Sequence, residues 1–277
     1  MNNLLDELSE EPPLHEGFIP QDVYDFLDKS VSGQHEAKLM LSNVVYNGKL
    51  KREAYKHFGY DQLEKIVPLL IGPTGVGKTY LLSRLKEFMG SVVVVNNCSE
   101  ISAVGYSRAG GTNVPEIIDN YLDQCHKRMT EKYVGKDLLM DNYKEEFIDE
   151  VMTGLLVFDE FDKISSFNDG SSNTKYNLQI QDNFLKTIEG EDITYTLKIA
   201  TGIGTLKEPI VINTSMICMV FLGAFSDLRK AREEQAVHNT MGFLGKTEVS
   251  RKDLNKKDIQ EWGFKEEDFE DSKPEKK

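Results

Sequence analysis

The segment Gly72-Pro73-Thr74-Gly75-Val76-Gly77-Lys78-Thr79 carries the densest chemistry in the chain, a full match to the pattern GxxxxGK[ST]. Glycines at these positions let successive backbone N–H groups turn inward around phosphate oxygens. A helix starting at the end of such a turn adds the positive end of its dipole. Lys78 is then placed to reach the β- and γ-phosphates, and the Thr79 hydroxyl to ligate Mg²⁺, with Tyr80 next in line. A second constellation lies at Asp159-Glu160, directly after the apolar run Leu155–Phe158. Asp159 suits a carboxylate that holds Mg²⁺, directly or through water. Glu160 suits one that orients and polarises an attacking water. Nucleotide binding alone would need only the first carboxylate; the adjacent pair points to hydrolysis of ATP.

Positioning these groups requires strands that end at the right places. Ile66–Ile71 is a short, branched, apolar run just ahead of the glycine-rich turn, and Tyr80–Met89 behind it is amphipathic. Val92–Val95, Gly154–Phe158 and Thr214–Leu222 read as three more buried strands. Between them, residues 114–152 are mostly helical in pattern, and Ile180–Ile188 reads as another helix. Upstream, Val23, Phe26 and Leu27 form one helical stripe; Ala37, Met40, Leu41, Val44 and Val45 form a second, with Gly33 between them. Alternating strands and helices predict an α/β class: a P-loop NTPase with a parallel sheet flanked by helices.

Composition narrows the remaining classes. The 277 residues carry 33 Lys+Arg against 46 Asp+Glu, a net charge of −13, which argues against a protein that coats nucleic acid. No apolar run approaches the length of a membrane span. The first twenty residues lack the basic flank and apolar stretch of a signal peptide. Cys98, Cys125 and Cys218 are scattered, without a CxxC pair, which fits a reducing compartment and no zinc site. A cytoplasmic location is the expectation. Residues 1–19 read as a flexible acidic leader, 20–228 as one nucleotide-binding domain with a charged helical insertion at about 120–152, and 229–277 as a charged C-terminal segment.

Several further stretches together resemble one family, the AAA+ unfoldases of the ClpX and HslU type, with the ClpX branch the nearer. Leu27-Asp28-Lys29-Ser30-Val31-Ser32-Gly33-Gln34-His35-Glu36-Ala37-Lys38 is similar to the box whose backbone, here Val31 and Ser32, contacts adenine in that family. Phe158–Ile164, Ile180–Gly190 and Phe221-Leu222-Gly223-Ala224-Phe225 resemble its later motifs, in the family's order, across roughly residues 20–265. The resemblance implies an AAA+ large domain using ATP and Mg²⁺, and a hexameric ring that threads polypeptide through its pore. It places Tyr106, 106 − 78 = 28 residues after Lys78, in the substrate-gripping loop, where a flat amphipathic ring presses on varied side chains. Tyr133-Val134-Gly135 resembles the loop text more closely but comes too late in the chain. Residues 168–176 correspond to a second pore loop. Met241-Gly242-Phe243 occupies the place of a tripeptide that docks on a ClpP-like peptidase, and an exposed apolar pair in a charged segment suits such a tip.

The chain also departs from that pattern. Ser107-Arg108 replaces Val-Gly in the gripping loop, and no four-cysteine zinc domain precedes residue 20. No arginine follows Arg251, so an arginine finger and a lid domain are expected from another chain. Two alternatives stay open: a non-catalytic, nucleotide-dependent assembly factor, and a DNA-associated loader, which the net charge disfavours.

Overall fold

The computed structural model describes residues 17–59, 63–102, 112–133, 140–164, 173–201 and 204–226. Both upstream stripes become helices, α1 (Pro20–Ser30) and α2 (His35–Phe58). Strand β1 (Leu69–Ile71) leads into the glycine-rich turn, and α3 (Lys78–Met89) leaves it. There follow β2 (Val93–Asn97), the helices α4 (Val114–Lys132) and α5 (Met140–Thr153), and β3 (Leu155–Asp159). Helix α6 (Asn173–Glu189), the hairpin β4 (Asp192–Thr201) and β5 (Gly204–Asn213), and β6 (Cys218–Gly223) complete the order.

Four strands form one parallel sheet in the order β1-β6-β3-β2. Its strands read as unbroken apolar runs because both faces are covered. Leu155 and Val157 face one core, with Val220 and Leu222, against Val23, Leu27, Leu41, Leu81, Leu85 and Phe88 of α1–α3. Leu156 and Phe158 face the other, with Met219 and Phe221, against α4, α5 and α6. At its centre Phe158 lies 4.8 Å from Phe184 edge-on and 4.9 Å from Phe221 in a stack, and Phe161 lies 4.7 Å from Phe221. Aromatic pairs in these geometries add stabilisation beyond the area they bury.

Strands β2 and β3 start one residue later than the sequence reading, at Val93 and Leu155, and the starts of the other two are displaced further. The strand expected over Ile66–Ile71 is paired only from Leu69, because Pro68 has no N–H and contributes a carbonyl alone, to Phe221 N–H at 2.9 Å. The strand expected from Thr214 begins at Cys218. Thr214–Met216 instead forms a single tight helical turn. Asn213 Oδ1 accepts the Ser215 N–H at 2.9 Å and Thr214 Oγ1 accepts the Glu191 N–H at 2.9 Å, so side chains take the backbone partners a ladder would use.

The hairpin β4–β5 was not anticipated. Among the described residues its ten-residue strands pair only with each other. Tyr195, Leu197, Ile210 and Ile212 turn into the core, while Thr194, Thr196 and Val211 face outward. It docks on the two helices of the segment expected to be a charged insertion. Both helices bury a stripe, Tyr121, Leu122, Cys125 and Met129 on α4 and Tyr143, Phe147 and Val151 on α5. Their charges lie on the remaining faces and are used for docking. Arg52 and Lys56 of α2 grip Asp149, and Arg128 pairs with Glu150 at 2.9 Å.

Hairpin and helices meet at a polar chain inside this apolar wall. Tyr195 stacks on Phe147 at 5.2 Å, and its hydroxyl donates to Asp123 Oδ1 at 2.7 Å. That hydroxyl has one proton, so towards His126 Nδ1, 3.3 Å away, it can only accept. His126 therefore carries its proton on Nδ1, and Nε2 accepts from the Tyr143 hydroxyl at 3.1 Å. Burial lowers the His126 pKa from 6.5; Asp123 opposes that shift and Lys198 reinforces it. Among the described residues no helix is long and apolar enough to cross a membrane.

Because the folded chain holds His126 neutral, the unfolded chain takes up its proton first as pH falls. Stability contributed by this site is complete above pH 6.5 and is lost on acidification towards the lower folded pKa. Denaturant unfolding from pH 7.5 to 5 should show a shallower loss in His126→Gln than in the parent chain. An unchanged slope would exclude the histidine as its source. Phe184→Ala should cost about 3–5 kcal/mol in the same assay, and Thr196→Ala on the outer hairpin face less than about 0.5 kcal/mol.

Candidate functional site

The glycine-rich turn leaves β1 at the sheet's C-terminal end, where open α/β sheets present ligands. Its first amide, Gly72 N–H, donates to the Gly223 carbonyl at the end of β6 at 3.1 Å. Gly77 caps α3 with φ +91°, a left-handed value costly for a residue with a Cβ. The helix thus begins at Lys78, with its first N–H groups directed at the turn. Lys78 Nζ folds back onto the turn, donating to the Gly72 carbonyl at 2.5 Å and to the Pro73 carbonyl at 2.9 Å. Thr79 and Tyr80 are exposed.

The box between α1 and α2 abuts the turn. Val31 caps the C-terminus of α1 and is buried, whereas Ser32 is exposed. Gln34 takes a left-handed conformation, φ +53°, and its side-chain amide donates to the Val76 carbonyl of the turn. Lys38, 0% exposed, holds the corner from inside. Its ammonium donates to Asp28 Oδ1 and, at 2.7 Å, to the Val31 carbonyl. The hydrogen bond from Lys38 keeps the Asp28 carboxyl below its ordinary range.

The acidic pair stands at the same end of the sheet. Phe158 is level with Phe221 on β6, which is level with Leu69 on β1. Asp159 thus lies two strands from the turn, a separation of about 10 Å. Its Oδ1 accepts the Glu160 N–H at 2.8 Å, and Glu160, exposed, adopts φ +56°. The Glu160 carbonyl accepts the Lys163 N–H at 2.9 Å. Cys98, buried beside β3, has its thiol pKa driven well up by burial first and then by Asp159, Asp162 and Glu160. Negative charge is concentrated here. Yet among the described residues no group of three or more His, Cys, Asp or Glu could cage a metal.

The donor set fits a nucleoside triphosphate with Mg²⁺. The turn offers backbone N–H groups and an ammonium to phosphates, and Thr79 and Asp159 offer oxygens to a cation. Mg²⁺ suits such a partial site because it ordinarily keeps water and phosphate oxygens as ligands. The fold brings Gly72–Thr79, the Val31–Gln34 corner and Asp159-Glu160 to one end of the sheet. Tyr106 and Met241-Gly242-Phe243 lie outside the described residues, as do residues 168–172. Gln34, quoted in the box without a role, proves to touch the phosphate turn, and Asp162, three residues after Asp159, proves to bond the end of β6.

Residues 63–267 match the family model described as AAA domain (Cdc48 subfamily). The chain is 27% identical over 227 residues to the ATP-dependent Clp protease ATP-binding subunit ClpX 2 of Wolinella succinogenes. That alignment covers 81% of this chain and 50% of the relative, so the chain spans about half the length of the curated relative it matches. A phosphate turn and an acidic strand end across one parallel sheet, a family match over most of the chain and a ClpX-like sequence agree: the chain belongs to the AAA family of ATPase domains.

Proposed function

We propose that the chain binds ATP with Mg²⁺ and hydrolyses it to drive protein unfolding within a ring. One observation chiefly supports the reading: a closed phosphate turn and an acidic pair stand at the same end of one sheet, two strands apart. That separation leaves room for a triphosphate between them. Lys78, Thr79 and the amides of residues 72–79 bind phosphates, and Thr79 with Asp159 holds Mg²⁺. The metal neutralises phosphate charge when bound. Glu160 accepts the proton of the attacking water, and the Val31-Ser32 backbone lies against adenine.

The finer reading follows the ClpX-like relative, which is named as the ATP-binding subunit of a protease. The chain works as one subunit of a hexamer, feeds unfolded protein to a ClpP-like peptidase and docks on it through Met241-Gly242-Phe243. A neighbouring chain completes the hydrolytic site. Tyr106 grips the substrate. Its segment starts and ends at a pinned base, where Ser102 N–H donates to the Thr112 carbonyl at 2.8 Å and Ile101 bridges Thr112.

Lys78→Ala should weaken binding of a fluorescent ATP analogue about ten- to a hundredfold, the loss of one charge-assisted contact. Glu160→Gln should keep that binding and lower phosphate release about 10²–10⁴-fold. Analogue binding without any Glu160-dependent turnover, alone or with partner subunits, would replace the enzyme by a nucleotide-dependent assembly factor. If a neighbour completes the site, turnover per chain rises with protein concentration. Tyr106→Ala should abolish ATP-driven unfolding of a tagged fluorescent protein while phosphate release persists; retained unfolding would remove the gripping role.

A further inference from the structure

Three residues other than glycine adopt left-handed backbone conformations among the described residues: Gln34 at φ +53°, Glu160 at +56° and Phe225 at +49°. Such a conformation is strained in a residue with a Cβ and persists only where its surroundings hold it, and such strain gathers at functional sites. Gln34 is held by the bond from its own side chain to the phosphate turn. Of the other two, Glu160 precedes Asp162 by two residues and Phe225 follows Ala224, whose N–H the buried Asp162 carboxylate accepts.

Asp162 is 8% exposed and sits in the short helical turn Phe161–Ile164 that follows Glu160. Its Oδ1 accepts the Ala224 N–H, just beyond β6, at 3.1 Å, and its Oδ2 accepts from Lys163 Nζ at 3.0 Å. The end of β6 is crowded around this bond. A Cβ on Gly223 would come within 2.4 Å of the Phe225 ring and 3.3 Å of Asp162 Oδ1, so only glycine lets the carboxylate and the ring close on the strand. The Gly223 carbonyl in turn holds the first amide of the phosphate turn. An unbroken series of bonds runs from Glu160 through its turn to Asp162, across to Ala224 and Gly223, and into Gly72.

We propose that Asp162 is the positioning residue of the hydrolytic site: its carboxylate locks the turn presenting Glu160 to the strand end that carries the phosphate loop. The two halves of the site then move as one body, and the left-handed backbone at Glu160 persists because Asp162 fixes the residues after it. The charge of Asp162 is secondary, since Lys163 pairs with Oδ2, and the geometry of Oδ1 is what matters. A misplacement of about 1 Å at a reacting group can cost a hundredfold in rate. The proposal rests on the hydrolytic reading above.

Substitutions separate geometry from charge. Asp162→Glu keeps the charge and shifts the oxygens by a methylene. Asp162→Asn keeps an acceptor in place and removes the charge. Asp162→Ala removes both. Expected is a fall in kcat of about ten- to a hundredfold for Asp162→Glu and Asp162→Ala, with KM for ATP and analogue binding nearly unmoved. Asp162→Asn should recover most of that loss. Hydrogen exchange at the Ala224 amide, read on the same proteins, should be slow in the parent and Asp162→Asn and fast in Asp162→Glu. Wild-type kcat in Asp162→Glu, or Asp162→Asn falling further than Asp162→Glu, would overturn the proposal. Should the parent chain show no turnover, the hydrolytic reading fails by itself. The tether is then decided by exchange alone, and unchanged Ala224 protection in Asp162→Glu would overturn it. Should Asp162→Glu and Asp162→Ala not fold, a rapidly exchanging Ala224 amide in folded Asp162→Asn overturns it equally.

Discussion

The hydrogen bond from Gly72 N–H to the Gly223 carbonyl fixes where the phosphate loop leaves the sheet, and most of the site's geometry follows from it. Strand β6 lies between β1 and β3, so it touches both the loop-bearing and the acid-bearing strand. Parallel pairing sends the C-terminal ends of all three to the same side. A glycine is required at 223 because the Phe225 ring lies where a Cβ would stand, while the carbonyl of the same residue reaches Gly72. The ring covers this end of β6, and Phe158, Phe161 and Phe184 pack around Phe221 two residues before it. An apolar wall therefore backs a polar rim at the point where the chemistry needs rigidity.

On the other flank the decisive group is a buried cation. Taking an ammonium out of water is costly, and only close partners offset the loss. Lys38 finds them in Asp28 and the Val31 carbonyl, both at the end of α1, so the charge can be buried only if α1 and α2 meet at one angle. That angle leaves Gln34 beside the phosphate turn. Lys38 thus acts on the site through the backbone of the corner, at the Val31 carbonyl. Its replacement by an apolar side chain would remove the donor that the Val31 carbonyl accepts from, within the proposed adenine contact.

The order of strands and helices that position the loop was legible because buried parallel strands make short, continuous apolar runs and because the turn has a fixed glycine spacing. The acidic pair followed from its place at the end of such a run. The hairpin was harder to see. Ile193, Tyr195, Leu197 and Ile199 alternate with polar residues over Asp192–Thr201, but Lys207, Glu208 and Pro209 interrupt the partner strand. The strand start at Cys218 rather than Thr214 was set by Asn213 and Thr214 side chains, whose local hydrogen bonds leave no periodic trace. Likewise Asp162 lay in plain view within Phe158–Ile164. Its bond to Ala224 spans 62 residues, and no local pattern encodes a contact of that range.

The charged helical segment at about 120–152 is tied into the same framework. Helices α4 and α5 present apolar stripes to the sheet and a polar chain to the hairpin, so their surface charge says little about their burial. Among the described residues the hairpin pairs with no strand of the main sheet, and side chains dock it: Tyr195 on Asp123 and Phe147, and Glu208 on Lys144. Helix α6 joins it to the acidic turn. Gln181 Nε2 donates to the Ile164 carbonyl at 2.8 Å near that turn, and the last residues of α6 lead through Glu191 directly into β4. With 17 residues at about 1.5 Å each, α6 spans roughly 25 Å. A displacement of the turn that carries Glu160 therefore reaches the base of the hairpin through one rigid element.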